Sequence, residues 1–289
     1  MRTMKGKICL ITGGTNGIGR STAHELASKG ATVVIVGRDA RKTSQVVEEI
    51  RRASGNDTVD SLLADLSSQQ EVRRLANEFE TKYSHLDVLL NNAGAVFMQR
   101  QLSVDGIETT FALNHLASFL LTNLLLDKIQ ASAPARIINV SSGAHTSGEI
   151  EFDNLQGERG FSHRAYGNSK LATILFTKEL ARRLEGTGVT VNALHPGFVN
   201  TGFGKNNPGL LMKSIRAVVP LIARSPEKGA RTSIYLAFSP EVQSITGKYF
   251  VDCKVTEPAA RATDSAVARK LRDVSAETVQ LADGLRART

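Results

Sequence analysis

Residues 7–37 read KICLITGGTNGIGRSTAHELASKGATVVIVG. Two near-continuous apolar runs, KICLIT at 7–12 and ATVVIV at 31–36, are separated by a glycine-rich turn and one helix length of amphipathic sequence. Strands buried on both faces carry such unbroken apolar runs, and parallel strands need a crossover, usually a helix. Gly30 stands where a helix C-terminal glycine belongs. The segment is therefore a strand–helix–strand unit.

The same alternation continues along the chain. Further strands are predicted at 58–64, 86–90, 135–140, 189–194 and 247–251, and helices at 17–29, 40–54, 68–82, 103–129, 165–185 and 227–238. Gly55 and Gly186 close two of the helices, and Ser225-Pro226 opens another with an N-cap and a first-turn proline. This pattern predicts an α/β fold: one Rossmann-like, doubly wound parallel sheet of about seven strands flanked by helices, forming a single domain over 1–289. Two segments break the alternation. Residues 143–164 are polar and aperiodic, and 200–225 hold a glycine-containing loop followed by an apolar stripe that reads either as a substrate lid or as a surface helix packed on the core. Residues 258–289 read as a charged, alanine-rich helical tail.

Composition narrows the function classes. The chain has 289 residues, 41% hydrophobic and 22% charged, a globular profile long enough to form a core without disulfides or metals. Its two cysteines, Cys9 and Cys253, read as reduced thiols, and no metal is expected. No apolar run reaches the roughly 18 residues of a membrane span, and no leader is visible. A cytoplasmic protein without an integral membrane segment is expected. The net charge of +8 comes from scattered Lys and Arg with no basic run of five, so no nucleic-acid partner is expected.

Several positions carry chemistry. Gly13, Gly17 and Gly19 form a G-x-x-x-G-x-G turn opening the first helix, together with Thr15, Asn16 and Ile18. Glycines permit close backbone approach, and a helix N-terminus offers N–H groups to a phosphate. An acid at the end of the second strand would accept a ribose hydroxyl; here Gly37 is followed by Arg38, whose guanidinium fork suits a 2′-phosphate. Asp39 reads as the N-cap of the next helix. These residues favour NADP(H), with NAD(H) as the alternative. Asn114 interrupts an apolar helix, and a buried amide needs hydrogen-bond partners. Ser141 and Ser142 end the fifth strand, at the sheet edge where open α/β sheets bind ligands. Tyr166 and Lys170, one turn apart, share a helical face. Alone, that pair reads as surface decoration slightly sooner than as chemistry.

In order along the chain, Thr12-Gly13-x-x-x-Gly17-x-Gly19, Asp65, Asn91-Asn92-Ala93-Gly94, Asn114, Ser142, Tyr166-x-x-x-Lys170 and Pro196-Gly197 resemble the short-chain dehydrogenase/reductase family over residues 5–252. Within it, NVSSGAH, FDNLQGE and ALHPGFVNT resemble the retinol-dehydrogenase-like subgroup, whose members often carry an N-terminal membrane anchor. The resemblance implies hydride transfer between a nicotinamide and a small apolar aldehyde, ketone or alcohol. It implies that Tyr166 is the general acid/base and Lys170 its supporting cation, that Ser142 holds the substrate oxygen, and that Asn114 holds a water that relays protons. A cation beside a phenol should lower its pKa, here by about two to three units. The resemblance also places Ile18 and Gly19 at the phosphates and Asp65 and Leu66 beside adenine. Asn92, Ala93 and Gly94 would lie along the cofactor, with Pro196, Gly197, Phe198 and Thr201 on the nicotinamide side, and Lys170 would reach the ribose. A homodimer through the two long helices is implied. The alternative is a catalytically idle dinucleotide-binding regulator. A sugar-nucleotide epimerase would need a different glycine spacing and a larger C-terminal domain.

Overall fold

The computed structural model describes residues 3–161, 164–199 and 224–281. The apolar runs form β1 (Ile8–Thr12), β2 (Thr32–Gly37), β3 (Val59–Leu63), β4 (Val88–Asn91), β5 (Ala135–Val140), β6 (Val189–His195) and β7 (Tyr249–Val251). They lie parallel in the order β3-β2-β1-β4-β5-β6-β7. An eighth strand, β8 (Lys254–Thr256), pairs antiparallel with β7. Its three residues are all exposed, so no apolar run marks it. The turn that joins it uses Asp252 and Cys253, both left-handed at φ 48 and 63. Two successive positive φ angles suit a tight hairpin, but without a glycine the sequence does not announce them.

Within each strand, alternate residues face opposite layers. Ile8 and Leu10 join one core with Phe79, Phe119 and Leu175. Cys9 and Ile11 join the other with Leu26, Ile50 and Phe250. The second layer is built by α1 (Gly17–Ser28), α2 (Ala40–Ser54) and α6 (Pro226–Phe238). The first is built by α3 (Gln69–Lys82), α4, α5 (Ala165–Arg183) and α7 (Ser265–Thr278). Here α4 is a run of Thr109–Phe111, a π turn at Ala112–Leu116, Ala117–Leu124 and Leu126–Ala131.

The caps follow from the sequence. Asp39 accepts from Lys42 N at 2.8 Å, and Ser225 accepts from Lys228 N at 3.4 Å, with Pro226 in the first turn. The fourth helix begins at Thr109 rather than at 103. Ser103–Glu108 form a turn around Gly106 at φ 74, and Glu108 then caps Thr110 N and Phe111 N at 2.7 and 2.9 Å. The lid expectation falls almost wholly on residues 200–223, outside the described residues, as does Thr201. No helix among the described residues is long and apolar enough to cross a membrane.

The tail does form a helix, and it is part of the core. Leu271, Ala276, Val279 and Leu281 are buried in the first cluster, and α7 packs on α5. His115 sits at that junction, its Nε2 at 2.8 Å from Ser275 Oγ and its ring stacked 5.1 Å from Phe111. Burial pushes its pKa from 6.5 down to about 3. The unfolded chain takes up a proton in that window and the folded chain refuses it, so folding weakens as pH falls. His115→Phe should remove this component. Thermal melts from pH 7 to 5 should show the variant's Tm rising relative to wild type as pH drops; parallel curves would refute the assignment.

Candidate functional site

The site lies at the C-terminal ends of β1, β4, β5 and β6, around the point where strand order reverses between β1 and β4. The turn after β1 is held from beneath. The Thr12 hydroxyl accepts from Asn92 N and Ala93 N at 2.9 and 3.0 Å. The Asn92 amide donates to Thr12 O and Gly13 O at 2.9 and 3.2 Å. Asn92 therefore turns its side chain toward the protein and shapes the turn. Gly19 is required by contact, because a Cβ there would stand 2.4 Å from Gly13 O.

This turn fits a phosphate. The helices α2, α3, α6 and α7 begin with a side chain that accepts from their first turn, whereas α1, after Asn16, and α5, after Arg164, have no such cap. The first-turn N–H groups of α1 are thus left to an anionic ligand. A side chain at Gly37 would meet Thr43 Oγ1 at 2.2 Å and the Thr15 methyl at 2.6 Å. Arg38 follows it on the exposed edge. Asp39 is committed to its cap, so the position an acid would need for a ribose is filled by Gly37 and Arg38. Asp65 accepts from Ser67 N and Ser67 Oγ at 3.0 and 2.7 Å in a local turn, and Leu66 beside it is buried.

Asn114 occupies the π turn of α4, 2% exposed. Its Oδ1 accepts from Ala95 N at 2.9 Å, and its Nδ2 donates to Ala95 O at 2.9 Å and Ser169 Oγ at 3.0 Å. The amide thereby joins the β4 loop to α5, one residue from Lys170. Both Nδ2 protons are thereby taken up by the protein, and Oδ1 is turned to the Ala95 N–H. Gly94 lies against the same group: a Cβ there would be 3.1 Å from Asn114 Oδ1 and 3.3 Å from Lys170 Nζ.

Lys170 is 4% exposed, donates from Nζ to Val140 O at 2.9 Å, and has Nζ 5.6 Å from the centroid of the Tyr166 ring. The two serines separate here. Ser141 Oγ donates to the Lys170 backbone carbonyl at 2.7 Å and is structural. Ser142 faces Tyr166, and the hydrogen bond between their side chains favours the phenolate. Burial outweighs it, and the Tyr166 pKa is pushed up to about 12. Burial likewise lowers Lys170 to about 8. The expected depression of the phenol is therefore reversed: in this desolvated pair both groups shift toward their neutral forms.

Beyond β6, Gly197 adopts φ 85 against the Arg224 side chain, and Arg224 N donates to Phe198 O at 2.7 Å. Phe198 is 62% exposed, next to Pro196 and Gly197 on the same loop.

Some of the supporting residues have no role that the resemblance assigns. Asn91 Nδ2 donates to Asn139 Oδ1 and Thr122 Oγ1 at 2.8 and 3.0 Å, and Asn139 Nδ2 donates to Thr177 Oγ1 at 2.9 Å. This buried network ties β4 and β5 to α4 and α5 beneath the site. Only the polar letters inside apolar runs signal it. His145 and His195 both contact the Ser142 turn, and nothing in their spacing shows that. The turn itself packs tightly on α5, because a Cβ at Gly167 would sit 2.8 Å from Ala144 O and 2.9 Å from Ser147 Oγ. Gly167→Ala should push the first turn of α5 away from Ser142 and cost about 1–3 kcal/mol of stability. Urea unfolding measures this, and an unchanged midpoint would show that the packing relaxes freely.

A family model described as short chain dehydrogenase matches residues 7–208. Human retinol dehydrogenase 13 is 44% identical over 285 residues, covering 96% of this chain and 86% of that protein. The crystal structure of an uncharacterised protein from Mycobacterium paratuberculosis superposes with a TM-score of 0.77 at 30% identity, covering 97% of this chain and 96% of that one. The Pseudomonas aeruginosa RhlG/NADP active-site complex gives 0.66 at 29% identity, covering 86% and 95%.

Proposed function

The chain belongs to the short-chain dehydrogenase/reductase family and its retinol-dehydrogenase-like subgroup, and from that premise we propose that it interconverts an apolar aldehyde or ketone and its alcohol with NADP(H), using Tyr166 as the acid/base. That it is a nicotinamide-dependent oxidoreductase of alcohol and carbonyl groups follows from the family. The observation that carries the finer reading is the convergence of Ser142, Tyr166, Lys170 and Asn114 from three different elements on one buried corner.

The bound nicotinamide supplies the hydride in reduction and accepts it in oxidation. Gly13, Thr15, Asn16, Gly17, Ile18 and Gly19 would hold the phosphates on the uncapped start of α1. Arg38 would pair with a 2′-phosphate, and Asp65 and Leu66 would flank the adenine. Ala93, Gly94 and Lys170 would line the path toward the nicotinamide, with Pro196, Gly197 and Phe198 beyond it. Asn92 would act from below by shaping the turn.

In reduction, Tyr166 donates its hydroxyl proton to the carbonyl oxygen as the carbon receives hydride. Burial suits the phenol to this role, because a group held near 12 keeps its proton at neutral pH. The Ser142 hydroxyl donates to the same substrate oxygen and steadies its developing charge. In oxidation Tyr166 must accept the proton, and the Ser142 hydrogen bond and a protonated Lys170 both favour the phenolate. Removing a positioned acid costs about 10²–10⁴-fold. Exposed Met98, Leu102 and Phe198 stand on the loops that leave β4 and β6, which supports an apolar substrate. The relatives' names make retinal the first carbonyl to test. A homodimer would have to form around α7, which already covers part of α5.

Two measurements test this reading. Tyr166→Phe should lower kcat for NADPH-linked carbonyl reduction by about 10²–10⁴-fold with NADPH binding retained. Undiminished turnover would sink the mechanism, and binding by wild type without turnover of any carbonyl would favour the idle regulator. Separately, Arg38→Ala should raise the Kd for NADPH by about 10–100-fold, the scale of a lost charged hydrogen bond, and leave NADH nearly unaffected. Equal losses would remove the 2′-phosphate role.

A further inference from the structure

The peptide unit between Ser142 and Gly143 is gripped at both of its polar atoms by imidazoles. Its carbonyl, Ser142 O, lies 2.8 Å from His145 Nδ1. Its N–H, on Gly143, donates to His195 Nδ1 at 3.0 Å. A carbonyl only accepts and an amide N–H only donates, so the two contacts fix the ring states. His145 carries its proton on Nδ1, and its Nε2 accepts from Ala259 N at 3.1 Å. His195 presents a bare Nδ1, so its proton is on Nε2. We propose that His145 and His195 form a clamp that positions Ser142 toward Tyr166, making them positioning residues for the reaction proposed above, on which this inference rests.

The geometry explains why two histidines serve here. Ser142 is extended, at φ −156 and ψ 157, and lies past the last paired residue of β5. Its hydroxyl accepts from Ala144 N at 3.2 Å and meets Tyr166. Ser141 N is anchored by Leu194 O at 2.8 Å, but no ladder bond reaches the next peptide. The two rings replace that ladder, with His145 N also donating to Ser142 O at 3.1 Å. They come from opposite sides: His195 from the end of β6, and His145 from the 3-10 turn Gly143–Ser147 that follows the serine. His145 is buried and packs 5.0 Å from the Tyr249 ring on β7. Through Ala259 it also couples the serine to the C-terminal segment. That segment is itself fastened nearby, where Arg261 donates to Gly148 O at 3.0 Å.

Both rings must be neutral to hold this peptide. A second proton on His145 would set Nε2–H against Ala259 N–H, and one on His195 would set Nδ1–H against Gly143 N–H. The surroundings keep His195 uncharged. Burial lowers its pKa, Arg224 adds to this, and among the described residues Asp252, on the β7–β8 turn, opposes them. The groups facing His145 are His195 and the Tyr249 phenol, which burial keeps protonated.

The tautomers give a test that needs no substrate. The chain has six histidines, and single substitutions assign their signals in the ¹⁵N-histidine-labelled protein. At pH 7 long-range ¹H–¹⁵N spectra should show His145 as the Nδ1–H form and His195 as the Nε2–H form. Either ring charged, or His145 as Nε2–H, would overturn the clamp whatever the enzyme does. Turnover then tests the positioning. His145→Phe and His195→Leu should each lower kcat for NADPH-linked reduction about tenfold or more, the scale of a misplaced catalytic group, with NADPH Kd and substrate KM little changed. His195→Asn, whose side-chain oxygen can accept from Gly143 N, should recover most of that loss. In a Ser142→Ala background the clamp substitutions should cost little further, since groups acting as a unit are non-additive. Fully additive losses would overturn the role through Ser142. If wild type turns over no carbonyl with NADPH, the activity reading fails, while the tautomer spectra still decide whether the clamp exists.

Discussion

A lysine ammonium buried at the end of a parallel sheet is the constraint on which this site depends. Lys170 is almost wholly shielded from water, and an isolated buried charge is costly. The protein compensates with geometry. Nζ reaches Val140 O, the Lys170 carbonyl takes the Ser141 hydroxyl, and Asn114 bonds Ser169 beside it. Two of these bonds join α5 to the end of β5, and the third joins it to α4. The same burial that lowers Lys170 also raises Tyr166, so a neutral phenol and a labile ammonium stand together before any ligand arrives.

Holding that corner in place requires close backbone approach and satisfied polar groups. Gly167 and Gly148 let the turn after Ser142 lie directly on α5. Below it, Asn91, Asn139, Thr122 and Thr177 exchange hydrogen bonds inside an otherwise apolar layer. On the phosphate side, Thr12 and Asn92 do the equivalent work, bonding the turn after β1 to the loop after β4. The two halves of the site meet at Gly94, where a Cβ would press within 3.1 Å of Asn114 Oδ1 and 3.3 Å of Lys170 Nζ.

Much of this was legible before any coordinates. Most of the seven parallel strands follow from near-continuous apolar runs, because strands covered on both faces must be apolar on both faces; β3, with Asp60 and Ser61 inside it, is the exception. The caps at Asp39 and Ser225 follow from residue chemistry and were found as read. Where the reading missed, the cause is specific. The strand β8 is short and exposed, so burial leaves no trace in its residues. The true start of α4 depends on Gly106 and on Glu108 turning back on its own helix, which helical periodicity does not register. The pKa direction of Tyr166 was misjudged because pair charge is visible in spacing, whereas desolvation is a property of everything packed around the pair.

By itself, then, the sequence determined the strand–helix order and the glycine turn that opens α1, and it singled out Ser142, Asn114, Tyr166 and Lys170, which the fold brings together. Those are matters of local pattern and of motif order along the chain. Tertiary structure alone decided which atoms meet. It gave Ser141 to the backbone of α5 and Ser142 to the phenol, turned the Asn92 amide inward, and brought His145 and His195 to the two ends of one peptide bond. Several of these contacts join residues some 30 to 80 positions apart, as with Ser141–Lys170 and Asn92–Thr12. Their geometry is fixed by packing in three dimensions, and no period or spacing along the chain encodes it.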